Sequence, residues 1–189
     1  VTMSAKINVC VIIKDHFDTL RDDRDNKLSM LDIFTLFGIP IIIVIAVMMS
    51  KYIINKEFVS LVVNFASIVT SLLISVLVLI YDQYSKVDVD SDASENDIKV
   101  KKRELLEQLF SNVSFTILMG IITVIFCLIL NTFTITASGY YEAITFSVAD
   151  YPITMSSSLF MPFILFFLLE MIFTLFMGLK RLHILFFIR

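Results

Sequence analysis

Glu170 is the one acidic residue deep inside an apolar run of the sequence, PFILFFLLEMIFTLFMGL. It precedes Lys180 by ten residues, about 15 Å at the helical rise. Insertion scales put a carboxylate at such a depth at about 2.5–3.5 kcal/mol. It must therefore be neutralised or face protein or water, and it is a candidate ion ligand, proton acceptor or gate. The plainer reading is a neutral Glu that bonds a neighbouring helix as packing glue, and both readings stay open. Thr174 and Gly178 follow at four-residue steps and form a small, polar face with it.

Two polar stripes recur at helical spacing. Ser60, Asn64, Ser67, Ser71 and Ser75 lie at steps of 4, 3, 4 and 4, and Thr116, Gly120, Thr123, Cys127 and Asn131 are spaced alike. Small residues let helices in lipid approach closely, and their hydroxyls and amides bond across the contact. The stripes are expected to face each other or a neighbouring subunit. A sharper alternative is a polar path lined by an oligomer, although no charged ring or filter-like run accompanies it.

Lys99, Lys101, Lys102 and Arg103 form a basic cluster suited to anionic lipid heads or an acidic partner, or serving only as a topology signal. No aromatic residues accompany it for base stacking, so direct nucleic-acid binding is not expected. His16 and His183 stand far apart without Cys, Asp or Glu at metal spacing, and no nucleophile elbow, phosphate loop or paired carboxylates occur. No catalytic residue, metal or cofactor is expected, and the chain reads as a non-enzyme. Acids from Asp88 onward imitate a calcium loop, but Ala93 stands where Gly is needed and Lys99 where Glu is needed.

The elements that carry these residues are oily helices. Residues 58–80 run for 23 positions without charge, Pro or Gly. As a helix they reach about 34 Å, enough to cross a hydrocarbon core of about 30 Å. Such a helix also satisfies its own backbone in lipid. The 189 residues are 58% hydrophobic and 17% charged, with mean hydropathy +0.88. Charge is thus below the usual quarter of a soluble domain. Cys10 and Cys127 give no disulfide framework.

The expected class is an all-α membrane protein with four spans in two hairpins. An N-terminal segment, 1–32, precedes spans at 33–54 and 58–81. An acidic loop and helix, 82–112, leads to spans at 113–133 and 153–179, separated by an outer loop, 134–152. A tail, 180–189, closes the chain along the interface. No cleavable leader is visible in the first 32 residues, so the first span is expected to serve as its own insertion signal.

Within the N-terminal segment KINVCVIIK fits a strand by alternation. A helix also fits, through Val9, Ile13, Phe17 and Leu20. The helix is preferred, lying on the membrane surface, against a partner or as an extension of the bundle. Ser29 and Asp32 resemble a capping box, and kinks are expected before Pro40 and at Pro162. The third span is expected to continue a helix that begins near residue 98, stabilised by an Arg103–Glu107 pair. Tyr140, Tyr141 and Tyr151 suit an interfacial belt.

Thirteen basic residues fall in the N-terminal segment, the 82–112 segment and the tail, against Lys51 and Lys56 in the first connection and none in the third. Both termini and the 82–110 segment are therefore expected in the cytoplasm.

This layout resembles the KwaA family, the small four-span membrane subunit of the bacterial Kiwa anti-phage defence system. The likeness lies in the charged N-terminal segment with KDHFDTLRDDRDNK, the paired spans, the acidic linker leading into KKRELLEQLFSNVSF, and the second pair of spans. The resemblance implies an inner-membrane sensor and scaffold that assembles as an oligomer, a tetramer before a dimer. It further implies a soluble, cytoplasmic, DNA-binding partner of the KwaB kind. Residues 134–152 would sense, and 1–32 and 82–110 would hold the partner. The competing class is a small ion channel or pore-forming membrane effector. A secondary transporter is disfavoured, because four spans without broken Gly-rich helices leave little room for alternating access.

Overall fold

A computed structural model of the chain describes residues 9–20, 30–50, 56–87, 96–133, 145–148, 151–154 and 160–187. Helix α1 is Val9–Asp18 and α2 is Met30–Ile33. A π-helical turn, Phe34–Gly38, joins α2 to α3, Ile39–Met49. Helix α4 spans Lys56–Ser85, α5 Asn96–Phe133 and α6 Met161–Phe187. Two short strands, β1 (Thr145–Val148) and β2 (Tyr151–Thr154), pair antiparallel with Thr145 opposite Thr154.

Three helices are long and apolar enough to cross a membrane: Glu57–Ser85, Ile98–Asn131 and Met161–Phe187. Each exceeds the roughly 20 residues that a crossing needs. The region expected as the first span, 33–54, holds a shorter apolar helix, Phe34–Met49. With α2 before it the helical run is continuous from Met30 to Met49. Residues 51–55, and with them Lys51, lie outside the described residues. So do Ser29, Asp88, Ala93, Tyr140 and Tyr141.

Helix α5 is the centre of the bundle. Of its most apolar window 44% is buried, against 11% for α4 and 28% for α6. Both neighbours run antiparallel to it. Val59 and Val62 near the start of α4 cluster with Cys127 and Leu130, whereas Ile80 near its end clusters with Leu106 and Leu109. On the other side Phe126 stacks on Phe163 at 5.5 Å, and Arg181 reaches the Gln108 carbonyl. The broad contact of α3 is with α6, and Val47 also packs against the cluster that holds Val59 and Val62 of α4.

Several local features depart from the expected pattern for physical reasons. The distortion before Pro40 is a π turn. Proline has no N–H to offer Leu36, and widening the turn re-registers the remaining donors. Gly38 accommodates the Phe34 ring there, whose Cδ2 would lie 2.8 Å from a Cβ. Pro162 lies at the start of α6, directly after Phe160, which is itself π-helical. Residues 153 and 154 belong to β2. At its other end α6 runs through Lys180 and Arg181 to Phe187, so HILFF continues the helix. The all-α expectation is thus amended by one small β-hairpin.

Candidate functional site

The α5 stripe points into the bundle. Thr116, Gly120, Thr123 and Cys127 are buried, and Asn131 is exposed near the helix end. Thr116 donates to the Asn112 carbonyl at 2.8 Å and Thr123 to that of Met119 at 2.8 Å. These hydroxyls are thus satisfied within their own helix rather than across a contact. At Gly120 both neighbouring helices approach closely. A Cβ built there overlaps Thr70 Oγ1 of α4 and sits 3.2 Å from Met171 Sδ of α6.

The α4 stripe does not meet it. Ser60, Asn64, Ser67, Ser71 and Ser75 are all exposed, and Ser71 back-bonds to the Ser67 carbonyl at 2.7 Å. The face that α4 buries carries Val59, Val62, Ala66 and Ile80. Val59 and Ser60 differ by one position, or about 100° of turn. The expectation that the two stripes face one another is therefore corrected, and the α4 stripe lies on the outside of the bundle.

Glu170 is 1% exposed and is enclosed by protein. Neither carboxylate oxygen has a hydrogen-bond partner, nor has Thr174 Oγ1 one turn further on. Gly178 completes this buried line, with Leu109 Cδ1 3.8 Å from a Cβ built on it. Buried polar atoms without partners are costly, on the order of 1–3 kcal/mol each. Chemically, the carboxylate and hydroxyl can take up a proton, a water or a small cation. The adjacent Met171 connects this face of α6 to Gly120.

A second polar node lies where α5 emerges from the three-helix packing, and it was not among the sequence candidates. His16 of α1 is 0% exposed, and its Nδ1 lies 3.0 Å from Asn112 Oδ1. Its ring stacks on Phe115, centroids 3.9 Å apart. Thr19 Oγ1 shares its proton between the His16 carbonyl at 2.7 Å and Asn112 Oδ1 at 3.1 Å. Arg181 of α6 donates to the Thr19 carbonyl at 2.6 Å and to the Gln108 carbonyl at 3.2 Å. Phe17 stacks on Phe37 at 5.4 Å. Helix α1 is thereby clamped to α5, α6 and the π turn at once.

Burial pushes the His16 imidazole down to about 4; the Asn112 hydrogen bond opposes this, and the positive charge of Arg181 adds to it. Helical spacing offered a signal for this residue. His16 lies three positions after Ile13 and four before Leu20, on the apolar side of α1.

The basic cluster sits on the extension of α5 beyond this clamp. Lys101, Lys102 and Arg103 are exposed and Lys99 is half-buried. Arg103 lies 3.6 Å from Glu107 and also donates to Tyr84 Oη at 2.7 Å, its guanidinium 4.8 Å above that ring. Tyr84 in turn donates to Glu107 at 2.7 Å. Among the described residues no three His, Cys, Asp or Glu side chains gather as a metal-holding group. Comparison with family models, with curated proteins and with solved structures produced no match.

Proposed function

We propose that the chain is a non-enzymatic, multi-pass membrane subunit of the bacterial inner membrane that acts as a sensor and scaffold. It self-associates and holds a soluble cytoplasmic protein at the membrane, as its likeness to the KwaA layout implies for a defence complex with a DNA-binding partner. In this reading Phe34–Met49 belongs to a fourth crossing, and the end bearing the basic cluster faces the cytoplasm, as do both termini. The observation that carries the reading is the clamp of α1 onto α5 and α6. It ties a helix outside the spans to two spanning helices through one buried and one part-buried hydrogen bond, so a shift of α5 or α6 is felt on the cytoplasmic side.

Replacing Lys99, Lys101, Lys102 and Arg103 together with Ser is expected to weaken partner or lipid attachment about tenfold or more, since each basic residue near an anionic surface contributes about 1 kcal/mol. Co-purification and liposome flotation measure it, and unchanged attachment removes that segment from the proposal. The second reading, a small ion channel or pore-forming effector, draws on the unpartnered Glu170 and Thr174. Ion leak from liposomes that Glu170→Leu abolishes would support it; a tight barrier supports the scaffold.

Self-association has its natural surface on α4, whose exposed serines and Asn64 would otherwise meet lipid tails. With Cys10 replaced by Ser, Ser67→Cys is expected to cross-link into dimers on mild oxidation, read on a non-reducing gel. Leu61→Cys on the same helix is the comparison. Cross-linking no greater at 67 than at 61 removes the stripe as the contact.

A further inference from the structure

Buried threonines elsewhere in the bundle satisfy themselves. Thr116 and Thr123 of α5 each donate to the carbonyl four residues back, at 2.8 Å. Thr174 of α6 is buried as deeply, and the carbonyl four residues back is that of Glu170, yet its Oγ1 makes no hydrogen bond. The hydroxyl is therefore not committed to its own backbone. Glu170 likewise leaves both carboxylate oxygens without a partner, although protein encloses it. Residues four apart on a helix are neighbours, with roughly 5–6 Å between their Cβ atoms. Three unpartnered oxygens are thus gathered on one buried face of a helix long enough to cross a membrane.

The make-up of this group selects its ligand. Oxygen donors suit hard cations, and a carboxylate repels anions. One carboxylate balances one positive charge, so a divalent ion would leave a net charge buried in protein. Among the described residues no three His, Cys, Asp or Glu side chains gather to hold such an ion. A bare carboxylate in these surroundings is costly until a positive charge meets it.

We propose that Glu170 and Thr174 form an internal binding site for one small monovalent cation, a proton or a sodium ion. The carboxylate supplies the charge, and Thr174 Oγ1 supplies a further oxygen. Met171, the next residue, lies against Gly120 between α4 and α5, so occupancy sets the charge beside a contact of three helices. The site names a ligand for the residues on which the pore reading draws, but a chain that leaks no ions can hold it equally. A tight liposome barrier therefore sinks the pore and leaves the site standing.

Infrared difference spectra of the full chain against the Glu170→Gln variant read the site directly. A maltoside detergent is used because it has no carbonyl of its own. Glutamine keeps the shape of a neutral acid, and circular dichroism checks the helices; should they be lost, Glu170→Met is the reference. At neutral pH in choline chloride, the C=O band of a neutral carboxylic acid is expected from Glu170. With a proton as occupant, the band persists when sodium chloride replaces choline chloride, and Thr174→Val moves it to higher frequency by removing a hydrogen bond. With sodium as occupant, sodium chloride converts the band saturably into carboxylate bands, and Thr174→Val raises the sodium concentration for half-conversion severalfold. Carboxylate bands in both salts overturn the proposal, as does a response that Thr174→Val leaves unchanged.

Discussion

Gly120→Leu is expected to break the central three-helix contact, and detergent-solubilised protein should unfold at markedly lower temperature or denaturant. Even a Cβ at position 120 overlaps Thr70 Oγ1 and presses on Met171 Sδ. Overpacking a filled core costs about 1–3 kcal/mol for a few added carbons, and leucine adds a branched chain where α4, α5 and α6 meet. A smaller pair of changes separates steric pressure from other causes. Thr70 Oγ1 has no hydrogen-bond partner, so Thr70→Ala alone should be nearly neutral. Gly120→Ala should then be destabilising by itself and substantially restored in the Thr70→Ala background. A thermal-unfolding double-mutant cycle measures this; additive effects would mean that the contact at Gly120 does not set the spacing.

Acidification should release α1. His16 ordinarily titrates near 6.5 and in its buried seat near 4. Between those values the released helix binds a proton that the docked helix does not. Docking is therefore fully supported above about pH 6.5 and weakens as pH falls towards 4, by on the order of 3 kcal/mol at the lower limit. The imidazole faces Asn112 and Phe115 of α5 and the positive Arg181 of α6. A spin label at Val11→Cys, an exposed position on α1, with Cys10 changed to Ser, should gain mobility between pH 6.5 and 4.5. His16→Gln should flatten that transition while keeping a hydrogen-bonding group beside Asn112. A label equally mobile at both pH values contradicts the clamp.

The long helices were legible because lipid-length apolar runs leave little choice. Residues 58–80 lie within α4, and the helix expected from about 98 to 133 is α5 to within two residues. The inward set of Glu170, Thr174 and Gly178 was legible too, because a carboxylate cannot rest in hydrocarbon. The facing of the α4 stripe was not. In lipid the surroundings are as apolar as the core, so periodicity marks a polar line without saying which neighbour it meets. Val59 and Ser60 differ in exposure although the sequence treats both rows as regular. The His16 clamp was hidden for another reason: its partner Asn112 lies 96 positions away, and only packing brings them together. The apolar residues around 153 suit a strand as well as a helix, and Tyr151–Thr154 pairs locally with Thr145–Val148.

Helix α5 runs from Asn96 to Phe133 without a break, and at Gly120 both α4 and α6 press against it. From that point it reaches about 36 Å towards Asn96 and about 20 Å towards Phe133 at the helical rise. An unbroken rod has no joint in which to lose a tilt. Were α5 to rock about that contact, a movement at the short arm would emerge nearly doubled at the long one, carrying Lys101, Lys102 and Arg103 sideways. The two arms on either side of the glycine differ in length by nearly a factor of two.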